Sequence, residues 1–455
     1  MGKNVFGWRS EAQHTHVWNQ KLAGLGLAAL LLATRALADD ALIHDGDRIV
    51  FLGDSITEQR LYTTYLEAYT LARFPEMKLT FRNVGWGGDT SWLRQRSHPD
   101  ENALFAANPD KQQAMVEKAV KQGLERDVLP LHPTLVTIDF GMNDHSYQKF
   151  REDIFRAYVR SQTQLTKDLQ AAGAKVVLLT TQPIEEKRSD PDKDERNQSL
   201  RKFSDGLKDV ATRENALYVD QFDPYMAILL RERAANPPSF IGAGDAVHPG
   251  PTGHTLMAWA ILKGVSAPAD VSEAELSLPG GTVAAAEHCA ISNVKVADGG
   301  VSFDRLDEAL PMPIDARAQA ALQLAPVLAD LSRYQLRVTG LAVGNYEVKI
   351  DGESAARLSG EKLAEGLNLS NLPGPITAQG KKILDLVFHK NDIFFHRWRD
   401  VQILNLPSWA DNPASAEGRK AELAKLDGQI SELESQIDSA RKPVLHHFEV
   451  KPVAQ

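Results

Sequence analysis

An α/β fold built on a parallel sheet, continued by a β-rich region and ended by a helix, is predicted from three patterns in the sequence. Between about residues 47 and 264, short apolar runs alternate with longer amphipathic stretches. Strand and helix in alternation give a parallel sheet covered on both faces. Beyond about Ser266 the texture becomes an alternation of apolar and polar residues broken by turn residues, the mark of half-buried strands. Near the end, Leu423, Leu426, Ile430, Leu433 and Ile437 recur at spacings of three and four, giving a helix with one apolar seam.

The elements follow in order. Lys3, Arg9 and Lys21 precede the apolar run 22–33, and Ala36-Leu37-Ala38 supplies small residues for cleavage. Residues 1–38 therefore read as a secretory signal peptide, with a mature chain starting near Asp39 and a periplasmic or secreted destination. That apolar run is too short to span a bilayer comfortably and no later one is long enough, so no stable membrane insertion is expected. In the catalytic domain, expected over residues 39–265, runs 49–52, 79–84, 135–140, 176–180 and 217–219 read as buried strands. Stretches 112–127 and 150–172 have helical length and period.

An accessory region is expected over 266–410. There Tyr334, Leu336 and Val338, then Tyr346, Val348 and Ile350, alternate with polar residues around Gly344-Asn345 and Asp351-Gly352. This reads as an antiparallel meander. A helix is expected over 377–390, with Trp398 and Trp409 beyond it set among apolar residues as core residues would be. Residues 411–455 read as a helical segment and tail. Two heptads are short for a coiled coil, so the helix is expected to lie back on its own protein.

At 455 residues the chain exceeds one ordinary hydrophobic core, so two domains with appendages are expected. Apolar and charged fractions of 43% and 24% exclude a disordered or fibrous chain. A formal charge of −9 argues against nucleic-acid binding, which needs a basic surface. Cys289 is the only cysteine, so stability rests on packing rather than an internal disulfide.

Four motifs carry chemistry. Gly53-Asp54-Ser55 follows a strand and precedes a helical stretch, which puts the Ser55 N–H where helix-terminal charge favours an oxyanion; alone, the tripeptide reads equally as a helix cap. In Asn83-Val84-Gly85-Trp86-Gly87-Gly88-Asp89-Thr90 the glycines permit close backbone approach, or make a plain turn. Gly141-Met142-Asn143-Asp144 ends another strand, and an Asn amide can donate toward Ser55. Asp245-Ala246-Val247-His248-Pro249 spaces a carboxylate three residues before an imidazole, which lets one turn present an orienting acid beside a base for serine. In an open α/β sheet, function gathers at the carboxyl ends of the strands, where all four motifs fall.

Together these motifs resemble the SGNH (GDSL-type) hydrolase superfamily over roughly residues 45–265, with Ser55, Gly88, Asn143 and His248, joined by Asp245, at its signature positions. The resemblance implies a flavodoxin-like three-layer α/β/α fold and an ester hydrolase with a Ser55–His248–Asp245 triad. It further implies an oxyanion hole from the N–H groups of Ser55 and Gly88 and the Asn143 side chain, and no metal or organic cofactor. A Gly-x-Ser-x-Gly elbow is absent around Ser55, which disfavours the α/β-hydrolase fold.

The substrate is less legible. Export and an acidic chain suit a carbohydrate O-acetyl esterase acting on an acetylated saccharide. The alternatives are a short-chain lipase or lysophospholipase, and a non-catalytic glycan-binding or surface-interaction protein. Trp86 and Trp92 flank Gly88 and are candidate sugar platforms or core residues, while Asp54 and His145 are candidates by proximity to the motifs. His446-His447 lacks the spacing of a zinc site.

Overall fold

A computed structural model describes residues 42–187, 190–237 and 239–453; the expected signal peptide lies outside the described residues. Among the described residues no helix is long and apolar enough to cross a membrane.

Five strands form the first sheet: β1 (Arg48–Gly53), β2 (Thr80–Asn83), β3 (Leu135–Asp139), β4 (Lys175–Leu179) and β5 (Leu217–Val219). Their order is β2-β1-β3-β4-β5 and every pairing is parallel, the flavodoxin-like arrangement. Successive β1 side chains point to opposite faces, and both faces are covered. Val50 and Leu52 join a core with Val116 and Leu124 of the Pro109–Asp127 helix, Ile154 and Tyr158 of Glu152–Ala171, and Phe203 of Glu195–Arg213. On the other side, the Leu61–Arg73 and Pro251–Gly264 helices pack together.

The register sets the site. Phe51 pairs with Asn83 and Gly53 with Asp139, so the carboxyl ends of β1, β2 and β3 lie side by side. The chain order reverses around β1, and such a switch point opens a crevice at that edge.

Among the described residues nine further strands follow: β6 (Asp270–Ser277), β7 (Thr282–Glu287), β8 (Cys289–Ala297), β9 (Gly300–Asp307), β10 (Arg333–Thr339), β11 (Asn345–Ile350), β12 (Glu353–Ser359), β13 (Leu367–Asn368) and β14 (His446–Pro452). They form one sheet ordered β13-β10-β6-β7 and another ordered β12-β11-β14-β9-β8. Leu276, Tyr334, Leu336 and Val338 of the first sheet share a core with Phe303, Val348, Phe448 and Val450 of the second.

Two expectations need correction. The alternating runs at 334–339 and 346–350 do not pair as a meander: β10 runs parallel to β6, while β11 lies in the other sheet between β12 and β14. Alternation specifies a half-buried strand without naming its neighbour; only the β11–β12 hairpin at Asp351-Gly352 forms as expected. Residues 411–455, expected as a helical segment and tail, hold that helix and also a strand, with β14 seated between β11 and β9.

The accessory region is fastened to the catalytic sheet. Its Pro375–Phe395 helix runs into a π-helical turn, His396–Gln402. Lys390 of that helix, 1% exposed, donates to Glu67 Oε1 at 2.6 Å, and Asn391 donates to Glu67 and Thr64 at 3.0 Å each. Phe394 and Trp398 enter the core of the catalytic sheet, as does Ile430 of the Pro413–Ala440 helix. That helix packs on Pro375–Phe395 and buries Leu426, Ile430, Leu433 and Ile437, so its seam lies on its own protein. Trp398 is a core residue at 1% exposure; Trp409 is not, at 83%, because it sits in the connection between the two helices, where no element covers it.

Candidate active site

β1 ends where a side chain would not fit. A Cβ on Gly53 would stand 2.1 Å from Thr57 Oγ1 and 2.7 Å from the Asp139 carbonyl oxygen. Asp54 then caps the single turn Ser55–Glu58, accepting the Ile56 N–H at 2.9 Å. The cap fixes Ser55 at the first position of a helical turn, where backbone N–H groups have no partner inside the helix.

The structure brings Ser55, His248 and Asp245 together. Ser55 Oγ lies 2.8 Å from His248 Nε2, and His248 Nδ1 lies 3.1 Å from Asp245 Oδ2. The other Asp245 oxygen accepts the N–H groups of Val247 and His248 at 2.8 and 2.7 Å, so one carboxylate shapes its turn and orients the ring. Slight burial pushes the pKa of Asp245 upward, but those N–H groups and the imidazole outweigh it and hold the pKa below the ordinary value. The imidazole is 36% and the Asp245 side chain 66% exposed, which makes this side of the site open.

The glycine loop is strung on hydrogen bonds. Gly85 N–H donates to Asn83 Oδ1 at 2.9 Å, Trp86 N–H to the Gly53 carbonyl at 3.0 Å, and Gly87 N–H to Glu58 Oε2 at 2.9 Å. A Cβ on Gly87 would lie 3.9 Å from the Ser55 Cβ, so the loop runs directly beside the serine. Gly88 adopts φ +75°, in the left-handed region that favours glycine, and its carbonyl accepts from Arg94 Nε at 2.6 Å.

Asn143, 6% exposed, gives one amide hydrogen to the Asp89 carbonyl at 2.9 Å, which leaves the second for another acceptor. Asp144 ties the two loops together by accepting the N–H groups of Ser91 at 2.9 Å and Gly141 at 3.1 Å. Burial pushes its pKa up to about 6 against the pull of those bonds.

Four residues considered for substrate contact have other duties. Trp92 is a core residue, 1% exposed, packed edge-on against Phe105 and donating to Glu101 at 2.7 Å. Asp54 is 2% exposed and serves as the helix cap. His145, 2% exposed, places Nδ1 3.1 Å from the Gly141 carbonyl, and burial lowers its pKa to about 4. Trp86 is half-buried, with the Arg399 guanidinium 3.5 Å from its ring centroid and Trp398 edge-on at 5.8 Å. Its ring is a platform for the protein's own cations rather than a free face for a sugar.

Other residues of the site escaped sequence reasoning. The Tyr147 hydroxyl donates to Asn143 Oδ1 at 2.9 Å, and its side chain is 40% exposed. Glu185 accepts the N–H groups of Ile241 and Gly242 at 2.6 and 2.8 Å, while its own N–H donates to the Ala246 carbonyl at 2.8 Å. Gln182 donates to the Val247 carbonyl at 2.8 Å. Gln182 and Glu185 thereby hold the loop that carries His248. Their one signal in the sequence was their place just past the end of a strand.

Beneath Ser55 lie two buried carboxyl groups, Asp54 and Asp139. Burial, and then the neighbouring Asp139, push Asp54 well above the ordinary carboxylate range. Burial raises Asp139 to about 7, against hydrogen bonds from Gln221 and Tyr62.

Residues 51–256 match the model of the GDSL-like lipase/acylhydrolase family, a span that contains Ser55, Gly88, Asn143, Asp245 and His248. No curated protein matches the chain in sequence. Among solved structures, BT4096, a gut microbial diltiazem-metabolizing enzyme, superposes with TM-score 0.74 at 23% identity over 91% of this chain and 99% of its own. Axe2, an acetylxylan esterase from Geobacillus stearothermophilus, gives TM-score 0.37 at 22% identity over 50% of this chain and 97% of its own. The likeness to BT4096 spans the accessory region as well as the sheet domain and is one of fold.

Proposed function

We propose that this chain, which belongs through residues 51–256 to the GDSL-like lipase/acylhydrolase family of SGNH hydrolases and is a carboxylic ester hydrolase, is an exported serine esterase that removes acetyl groups from saccharides. The observation that carries the serine mechanism is the continuous relay from Ser55 Oγ through both nitrogens of His248 to Asp245, at 2.8 and 3.1 Å.

In this reading Ser55 Oγ attacks the acyl carbonyl while His248 Nε2 takes its proton. Asp245 holds the ring and steadies the imidazolium. Negative charge gathers on the carbonyl oxygen, where the N–H groups of Ser55 and Gly88 and the second amide hydrogen of Asn143 receive it. Collapse of the tetrahedral intermediate expels the alcohol, which takes the proton from His248. Water, activated by the same imidazole, then releases the acid and frees Ser55.

The open side of the site supports the choice of substrate. With His248 and Asp245 exposed at 36% and 66%, a bulky alcohol portion such as a glycan has room beside the base. A long acyl chain, by contrast, gains from an enclosed apolar channel. The signal-peptide pattern read in residues 1–38 supports export toward such polymers.

The test is acetate release from several acetylated polysaccharides, run beside aryl esters of increasing acyl length, for the wild type and Ser55→Ala. Acetate release that needs Ser55 and falls off as the acyl chain lengthens is expected. Preference for long acyl chains would replace the acetyl esterase with a lipase or lysophospholipase. Full activity in Ser55→Ala would remove the serine mechanism, and no hydrolysis of any ester would leave a glycan-binding protein.

A further inference from the structure

Four residues of the accessory region reach the segment that carries Ser55 and the loop that carries Gly88. Asp392 meets Arg60 at 3.2 Å, and the Phe395 ring lies 4.2 Å beneath the same guanidinium. Arg60 also donates to the Glu58 carbonyl at 2.7 Å, so the turn that starts at Ser55 is gripped at its far end. One turn further on, Arg399 Nε stands 3.9 Å from Glu58 Oε1 while its guanidinium covers Trp86 at 3.5 Å.

Glu58 and Trp86 both border the oxyanion loop on the side of the accessory region. The second oxygen of Glu58 accepts the Gly87 N–H at 2.9 Å, and Trp86 immediately precedes Gly87. Arg399 thus touches both walls of the peptide that leads to the Gly88 N–H. Trp398 meets the Trp86 edge at 5.8 Å. Two consecutive residues address one ring here, and they do so from the π-helical turn His396–Gln402; such turns are rare and gather at functional sites.

We propose that Arg399 is a positioning residue for catalysis: by bracing Glu58 and Trp86 it holds the Gly87–Gly88 peptide at the spacing from Ser55 that an oxyanion requires. The accessory region is then a working part of the active site rather than a polymer-binding appendage. This rests on the serine-esterase reading above. An oxyanion donor helps only when it is already in place as charge develops, and a small misplacement originating away from the chemistry is enough to slow it.

The test compares Arg399→Gln, Arg399→Lys, Glu58→Ala and the double variant Arg399→Gln/Glu58→Ala with the wild type on an aryl acetate, with Ser55→Ala as the control. For Arg399→Gln, kcat is expected to fall by about tenfold with KM within about twofold, because the loss is felt in the transition state. Arg399→Lys keeps the charge and is expected to recover part of that loss. The double variant is expected to be no slower than the slower single variant, since both residues act through one loop.

A kcat for Arg399→Gln within about twofold of the wild type, or losses that multiply in the double variant, would overturn the proposal. If Arg399→Gln does not fold, Glu58→Ala decides: an unchanged kcat there overturns it, and a fall in kcat with KM held supports it. Failure of the underlying esterase reading looks different. Hydrolysis would then be absent in the wild type or would survive in Ser55→Ala, whatever Arg399 does.

Discussion

The Tyr147 hydroxyl donates to the Asn143 amide oxygen at 2.9 Å, and that bond decides which way the Asn143 amide faces. With the oxygen engaged, the NH2 group is turned toward the Asp89 carbonyl and keeps its second hydrogen for the oxyanion role proposed above. Tyr147→Phe should therefore leave the donor present but less firmly aimed. We expect a fall in kcat of roughly three- to tenfold, about the worth of one neutral hydrogen bond, with KM little changed. Asn143→Ala removes the donor itself and should cost about 10² to 10³ in kcat. Steady-state kinetics on an aryl acetate measures both; equal effects would assign the two residues the same role.

Asp245→Asn separates the two duties of that carboxylate. The amide oxygen can still accept the N–H groups of Val247 and His248, so the turn should persist. The charge that steadies the imidazolium is lost, and kcat/KM should drop by about 10² to 10⁴. Circular dichroism and thermal unfolding should match the wild type; a variant as active as the wild type would remove Asp245 from the relay.

Lys390 and Glu67 form a buried ion pair, with side chains 1% and 3% exposed. Burial lowers the Lys390 pKa and raises that of Glu67, in each case against the attraction of the partner. Breaking such a pair strands a charge, so Lys390→Met should destabilise the protein by about 3–5 kcal/mol. Lys390→Met with Glu67→Leu should recover much of that loss. Denaturant midpoints measure both, and a harmless single variant would show that the pair does not fasten the accessory region.

Asp139 predicts a pH dependence of stability. Its folded pKa of about 7 lies above the ordinary carboxylate value because burial disfavours the charge. The folded protein therefore keeps a proton that the unfolded chain gives up above about pH 4. The stabilisation is full below that point and is lost as the pH rises through about 7. Asp139→Asn should flatten the decline between about pH 4 and 7, as measured by unfolding midpoints across that range; an unchanged slope would assign the decline to other groups.

Much of the catalytic sheet was legible because its central strands, β1, β3 and β4, are buried along nearly their whole length and read as apolar runs. The run at 135–140 contains β3, and that at 217–219 coincides with β5. Three motifs were legible because each follows a strand, β1, β2 or β3. The fourth, residues 245–249, lies instead in the loop between the Phe222–Ala235 and Pro251–Gly264 helices and was legible from its own spacing of acid and imidazole. Glu185 and Gln182 were not, since they act on a loop some sixty residues away through bonds to its backbone, which no local pattern records. Trp86 misled for a related reason: an aromatic beside a glycine loop looks alike whether its face is free or covered by Arg399, more than three hundred residues later. The same limit hid the partner of β10, whose alternation announced a strand but not a neighbour, while β14 lay in a stretch read as tail.

Strand β14 has a consequence for the integrity of the molecule. Because it is hydrogen-bonded on both sides, to β11 and β9, the accessory region is clasped like a buckle whose tongue passes through its own frame. The connection around residues 404–412 is bare, with Leu404 48% and Trp409 83% exposed. A protease cutting there would sever the backbone without freeing either piece. The downstream fragment would remain gripped through its helix and through β14, and nicked enzyme would run as two bands under denaturing conditions while eluting as one particle in native buffer.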